Sequence, residues 1–195
     1  AMTLLRPALV LTVLFTILTG LLYPFAMTGI ARAAFPSASQ GSLLERDGVV
    51  VGSALIGQGF ASPAYLQPRP SASGWNAAGT GATNLGPTSA QLVADVAARR
   101  EAFAAANGVA PADVPIDAVT ASGSGLDPHV SVANAQAQAA RIAAARGAPE
   151  AEVRAVLDAR ASGPWLGLYG EPVVNVLAVN LALDEAFGAP TLPGG

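Results

Sequence analysis

The chain has 195 residues, 10 basic and 13 acidic, for a net charge of −3, with one histidine and no cysteine. All ten basic residues are arginine, so a lysine-bearing phosphate loop and a Schiff-base site are excluded, as are a cysteine nucleophile, a thiolate zinc site and any metal site built on two histidines. Charged residues are 12% of the chain against roughly 25% in an ordinary domain, and no basic run is present, which excludes a phosphate-neutralising nucleic-acid surface.

The 52% hydrophobic fraction owes much to 43 alanines, many of them in amphipathic stretches. One segment is different. After a short tail (residues 1–6), the 25 residues Pro7–Ala31 carry no charge. At about 1.5 Å per residue, a helix of this length crosses a hydrocarbon core of about 30 Å. The segment exceeds the 7–15 residues of a cleaved signal's apolar region, so a retained transmembrane helix is expected. Thr12, Thr16, Thr19 and Tyr23 are spaced 4, 3 and 4 and share one face, with Gly20 beside them. Such a stripe fits contact with a partner helix; its alternative is hydroxyls bonded to the helix's own carbonyls. Pro24 should kink the helix or end its regular part. Arg6 and the terminal amine weakly favour a cytoplasmic N-terminus, which puts the remaining chain outside.

Residues 32–40 read as a linker and 41–195 as one extracytoplasmic domain. From residue 36 onward there are 8 arginines and 13 acids, a net charge of −5. Val49–Ile56 predicts a strand after an Asp47-Gly48 turn. Gln58 to Pro87, rich in Gly, Pro, Ser and Asn, is too long for a plain connection and is expected to be functional or poorly ordered. Within it, Arg69 should hold a carboxylate of the domain or of a partner, and Tyr65 and Trp75 should cover core. A helix is predicted from a Thr88 cap, answered by Gln91, to Asn107-Gly108. Ile116–Ala121 reads as a short strand. Ser131 should cap a helix that Gly147 ends, and Pro149 should start another with Glu150–Arg154 and Arg154–Asp158 pairs. Val173–Val179 reads as a second strand running into a helix through Phe187. The expected fold is a single N-terminal transmembrane helix plus one α/β or α+β soluble domain.

Chemistry is sparse. His129 lies two residues from Asp127 and no G-x-S-x-G elbow exists, so a triad is disfavoured; Asp127-Pro128 reads as the turn before the Ser131 cap. Ser122-Gly123-Ser124-Gly125 is either an anion-binding nest or a tight turn. Asn84, Gly86 and Thr88 lead into a helix N-terminus, either an anion site or plain turn-and-cap chemistry. No metal-ligating cluster and no catalytic constellation is assembled, which points to an accessory subunit.

Five separated stretches resemble one family: Leu55-Ile56-Gly57-Gln58-Gly59-Phe60, Arg69-Pro70-Ser71-Ala72, Thr83-Asn84-Leu85-Gly86-Pro87-Thr88, Thr120 through His129, and Val174-Asn175-Val176-Leu177 through Asn180. Together with Arg6-Pro7-Ala8 and Tyr23-Pro24 they look like the KdpC family, the small subunits of the bacterial potassium-transporting Kdp P-type ATPases. Trp75, Leu66 and Thr83 depart from the usual residues while keeping rough size or chemistry. The resemblance implies a non-catalytic accessory subunit of an ATP-driven potassium import complex in the bacterial inner membrane. Its implied partners are a channel-like potassium-binding subunit, a P-type ATPase subunit and a very small single-span subunit. It also implies a catalytic-chaperone role that raises the pump subunit's affinity for ATP, with no cofactor held firmly by the chain itself. Direct nucleotide contact would fall on Asn84, Gly86, Thr88 and Ser122, Gly123, Ser124 and Gly125. Gln58, Arg69, Asp127, His129, Asn175 and Asn180 carry the family pattern. A domain outside the cytoplasm cannot touch cytoplasmic ATP, so the alternative role is shaping or guarding the outer entrance of the channel-like subunit.

Overall fold

A computed structural model describes residues 2–190. The chain divides into two compact units, one up to Val51 and one from Gly52 onward.

In the first unit, α1 (Met2–Ile17), a π-helical turn (Leu18–Leu22) and α2 (Tyr23–Ala34) follow one another without a break. The apolar helix Thr3–Ala34 has 32 residues, long and apolar enough to cross a membrane. It extends beyond the expected 7–31 on both sides, from Thr3 to Ala34, and holds Pro7 within α1, where the proline costs one backbone hydrogen bond near the helix start. The regular α part ends at Ile17, and the π turn lies just ahead of Pro24. Proline has no N–H for the Gly20 carbonyl and its ring crowds that turn. The backbone widens here, and the Tyr23 N–H reaches five residues back to the Leu18 carbonyl.

The hairpin β1 (Leu43–Arg46) and β2 (Val49–Ser53) turns on Asp47 and Gly48, both at positive φ (52° and 75°), the pairing that a two-residue hairpin needs. The strand is shorter than Val49–Ile56, since a turn starts at Ala54.

The second unit is α+β. Its sheet has the order β3 (His129–Ser131), β5 (Val173–Asn175), β4 (Ala161–Ser162), with β5 central and both pairings antiparallel. Val130 pairs with Val174, and both are buried. Around them pack α5 (Val132–Ala137), α6 (Ala139–Arg146), α7 (Glu150–Ala159) and α8 (Val176–Phe187), which contribute Ala135, Ile142, Val153, Leu157, Val179 and Leu183 to the core.

Local signals set most of these boundaries. Ser131 caps α5, accepting from the Asn134 N–H at 3.0 Å. Gly108 and Gly147 end α3 (Ala90–Asn107) and α6 in left-handed conformations. Several expectations are corrected. α3 is capped by Ser89, not Thr88, because Gly86-Pro87-Thr88-Ser89 forms a turn closed by the Ser89 N–H on the Gly86 carbonyl (3.0 Å). Ile116–Ala121 is no strand: Pro115 and Asp117 start a single helical turn, α4 (Ile116–Val119). β5 stops at Asn175, whose side-chain oxygen caps α8, so Val176–Val179 is helix. Arg154 bonds to Glu150 at 2.6 Å, whereas Asp158 accepts from Gln136 at 2.6 Å.

Candidate functional site

The residues that carry the family pattern converge on one feature, the 36-residue connection between β2 and α3, which contains neither helix nor strand. It is ordered because side chains bind its backbone. The Asn180 carboxamide accepts from the Leu66 N–H (2.8 Å) and donates to the Leu66 carbonyl (3.0 Å). The Gln138 carboxamide repeats this on the next residue, accepting from the Gln67 N–H (2.9 Å) and donating to the Gln67 carbonyl (3.1 Å). One side chain from α8 and one from the residue joining α5 and α6 thus stand in for the neighbouring strand that this extended strap lacks.

Arginines hold the preceding carbonyls. Arg141 donates to those of Tyr65 (3.1 Å) and Pro63, and Arg146 to that of Ala64 (2.8 Å). Five consecutive carbonyls, Pro63 to Gln67, are therefore each met by a side chain of α5–α6, α8 or the residue joining them. Arg141 is fixed in turn by Asn107 (2.8 Å) and Gln138 (2.6 Å), and burial pulls its pKa below the ordinary guanidinium value. Arg146 pairs with Asp184 at 2.8 Å, the side chains being 2% and 5% exposed. It also lies over the Tyr65 ring, 5.2 Å from its centre, while the Tyr65 hydroxyl donates to Asp184 (3.0 Å). Tyr65 therefore covers core, as expected, and Leu66 is fully buried beside it. A second polar chain runs inward: Asp117 receives the Ser131 N–H and hydroxyl and the Asn134 amide, and Asn134 accepts from Gln138 at 2.8 Å.

Further along the strap, Arg69 donates to Asp127 (3.0 Å) and to the Thr120 carbonyl (3.3 Å), so it holds a carboxylate of its own domain; its Nε is buried without a partner. The other Asp127 oxygen accepts from the His129 N–H at 3.0 Å, with the imidazole Nδ1 3.8 Å away. Asp127 thereby forms the turn expected before the Ser131 cap. Gly57 and Gly59 are explained by close approach. A Cβ at Gly57 would lie 2.4 Å from the Asp127 carbonyl oxygen, and one at Gly59 would lie 3.0 Å from the Trp75 ring. At Gly52 a Cβ would fall 2.5 Å from Gln58 Oε1, which places the Gln58 side chain against β2. Asn175 ties in the strap's start, donating to the Ala54 carbonyl at 2.8 Å.

The strap bonds to the Ser122–Gly125 turn ahead of the Asn84–Thr88 segment. The Gly81 N–H and the Thr80 hydroxyl both donate to the Ser124 carbonyl at 2.8 Å, three residues ahead of Asn84. Asn84, Gly86 and Thr88 are exposed, Asn84 at φ 54°. In the Ser122–Gly125 turn the donors point inward: the Ser122 N–H bonds to the Pro70 carbonyl (3.1 Å) and the Gly125 N–H to the Ser122 hydroxyl (2.7 Å). Gly125 sits at φ 70°, with Gly123 between the two serines. This is the arrangement of a tight turn.

In the apolar helix, the hydroxyls of Thr12, Thr16 and Thr19 donate to the carbonyls of Ala8, Thr12 and Phe15 at 2.7–2.8 Å, leaving their lone pairs free to accept. Gly20 and Tyr23 fall within and just after the π turn.

Sequence reasoning passed over Gln138, Arg141 and Arg146, and took Asn107 only as part of a helix stop. The available signal was polar residues inside stripes otherwise made of alanine, valine and leucine, where a buried polar group must find a partner.

Comparison with known proteins gives the frame for these residues. Residues 5–185 match the family model described as K+-transporting ATPase, c chain. The chain is 64% identical over 185 residues to the potassium-transporting ATPase KdpC subunit of Cereibacter sphaeroides, covering 95% of this chain and 98% of the relative. It is 55% identical over 185 residues to the subunit of that name from Rhodospirillum rubrum, covering 94% and 96% of the two chains. For the Caulobacter vibrioides subunit the identity is 54% over 187 residues, covering 94% and 93%. The chain belongs to the KdpC family of K+-transporting ATPase c chains.

Proposed function

We propose that the chain is a non-catalytic, membrane-anchored accessory subunit of an ATP-driven potassium import complex, and that its domain acts by shape. The observation that carries this is the strap: Arg69, Asn175 and Asn180 of the family pattern, with Gln138, Arg141 and Arg146, are spent on fixing its backbone and turns, not on facing a reactant. Rigid presentation of a surface to larger neighbours is what such an architecture supplies. The apolar helix crosses the inner membrane and meets a partner helix through Thr12, Thr16, Thr19, Gly20 and Tyr23. With the N-terminus cytoplasmic, the domain stands outside and helps assemble or guard the entrance of the channel-like potassium subunit. The other partners are the P-type ATPase subunit and the very small single-span subunit.

Protease treatment tests the sidedness. Digestion of a C-terminal tag in spheroplasts, with protection in inverted vesicles, is expected, and the reverse pattern would sink the entrance role. Replacing Thr12, Thr16 and Thr19 by leucine is expected to reduce co-purification with the channel-like subunit; unchanged recovery removes the stripe from the interface. A chaperone effect on ATP affinity is the second reading. The exposed Asn84, Gly86 and Thr88 ahead of α3 favour it, and the inward-turned Ser122 and Gly125 donors weigh against it. Saturable binding of a labelled ATP analogue to the full chain at millimolar ligand would restore it.

A further inference from the structure

The network that fixes the strap makes no use of the loop after β4. No residue between Arg160 and Glu171 is charged. Trp165 and Tyr169 close the loop, with the Trp165 N–H on the Tyr169 carbonyl (2.8 Å), the Tyr169 N–H on the Trp165 carbonyl (3.1 Å), and rings 6.0 Å apart. The turn between them holds Leu166 at φ 53°, a conformation that leucine rarely adopts, followed by Gly167 at 71°. Trp165, Leu166, Leu168 and Tyr169 are 69%, 71%, 80% and 67% exposed. Four large apolar side chains thus stand together at one tip, and single exposed leucines elsewhere do not compare with it.

We propose that this tip inserts into the interface of the lipid bilayer that the chain's own helix crosses. The inference rests on the reading of that helix as a membrane span. Three features favour lipid. The domain is covalently tied to the apolar helix, so a bilayer surface is always near it at high effective concentration. The tip pairs leucines with one tryptophan and one tyrosine, side chains that settle at headgroup level with an apolar body and a polar edge. Much of its backbone is also paired internally: the Gly167 and Leu168 N–H groups bond to the Pro164 and Trp165 carbonyls (3.0 and 3.1 Å), so with Trp165 and Tyr169 four donors are satisfied within the loop, which lowers the cost of a shallow position among headgroups. The tip carries no charge and the residues from 36 onward no net positive charge, so the attraction is apolar rather than ionic and needs no anionic lipid.

The test uses the full chain in phosphatidylcholine vesicles. The chain has two tryptophans, so Trp75→Phe leaves Trp165 as the sole indole reporter. Vesicles with brominated acyl chains should lower its emission at least about twofold relative to plain vesicles, and the emission should be blue-shifted. Adding Leu166→Ser and Leu168→Ser should abolish both effects. In the Trp165→Phe protein the remaining indole packs on Gly59, and bromine should leave it unchanged. If Trp75→Phe does not fold, the difference between the native chain and Trp165→Phe gives the same reading. Equal Trp165 emission in the two vesicles overturns the proposal. So does an emission that changes only when the other chains of the complex are added, which would place the tip in a protein pocket. Retention through an alkaline carbonate wash reports the span separately, so its failure is distinguishable from failure of the tip.

Discussion

Replacing Asn180 by leucine isolates what the strap's backbone bonds contribute. Leucine keeps the branching and heavy-atom count of asparagine and is somewhat larger, so the change removes two hydrogen bonds without opening a cavity. It leaves the Leu66 N–H and carbonyl with no side-chain partner at a fully buried position. Each buried unsatisfied group costs about 1–3 kcal/mol, which sums to roughly 2–6 kcal/mol with a central value near 4. A domain's total stability is typically about 5–15 kcal/mol, so the variant should fold only marginally. The assay is urea unfolding of the full chain in detergent in a Trp165→Phe background, which leaves Trp75, whose ring packs on strap residue Gly59, as the sole indole. With a slope of about 2 kcal/mol/M, the midpoint should fall by about 2 M. Gln138→Leu alone should cost a similar amount. The double variant should cost less than the sum, by about 1 kcal/mol or more, because one loosened strap loses both clamps together. A midpoint shift under about 0.5 M for Asn180→Leu would refute the view that these amides hold the strap.

Arg146→Met removes the arginine partner of Asp184, leaving it the Tyr65 hydroxyl, and frees the Ala64, Leu183 and Gly188 carbonyls, so thermal unfolding should show a loss of about 3–5 kcal/mol; Arg146→Met with Asp184→Leu should recover part of it. Ser131→Ala removes the α5 cap and one donor to Asp117, and chemical denaturation should register about 1–2 kcal/mol. Gly57→Ala drives a methyl into the Asp127 backbone and should sharply lower folded yield, whereas Gly79→Ala, with nothing within 4 Å, should change stability by less than about 0.5 kcal/mol.

Much of the framework was legible because it is written locally. A long uncharged run, a serine before a helix and a glycine after one each act within a few residues, and the span, the Ser131 cap and the Gly108 and Gly147 stops follow from them. The errors share a cause. Val173–Val179 is rich in β-branched residues, yet Asn175 ends the strand after three residues, since its cap on α8 outweighs strand propensity. Ile116–Ala121 looks like a strand until Pro115 and Asp117 are weighed as a helix start. The strap was read only as a long loop of unknown order. Its clamps, Gln138 and Asn180, lie 71 and 114 residues from what they hold, so no window of sequence contains both halves of the interaction. The Arg69–Asp127 pairing spans 58 residues, and only the expectation that a constrained arginine needs a carboxylate anticipated it.

The order in which the polypeptide emerges during synthesis gives that distance a kinetic meaning. Tyr65 and Leu66 wait for Asp184 and Asn180, 119 and 114 positions later, before their polar groups are matched. The nascent domain therefore stays open until its final helix is delivered, and such long-range closure is slow. Premature termination anywhere before residue 180 would leave a tethered, unclosed product exposed to quality-control proteases, so cells should accumulate either the whole subunit or very little of it.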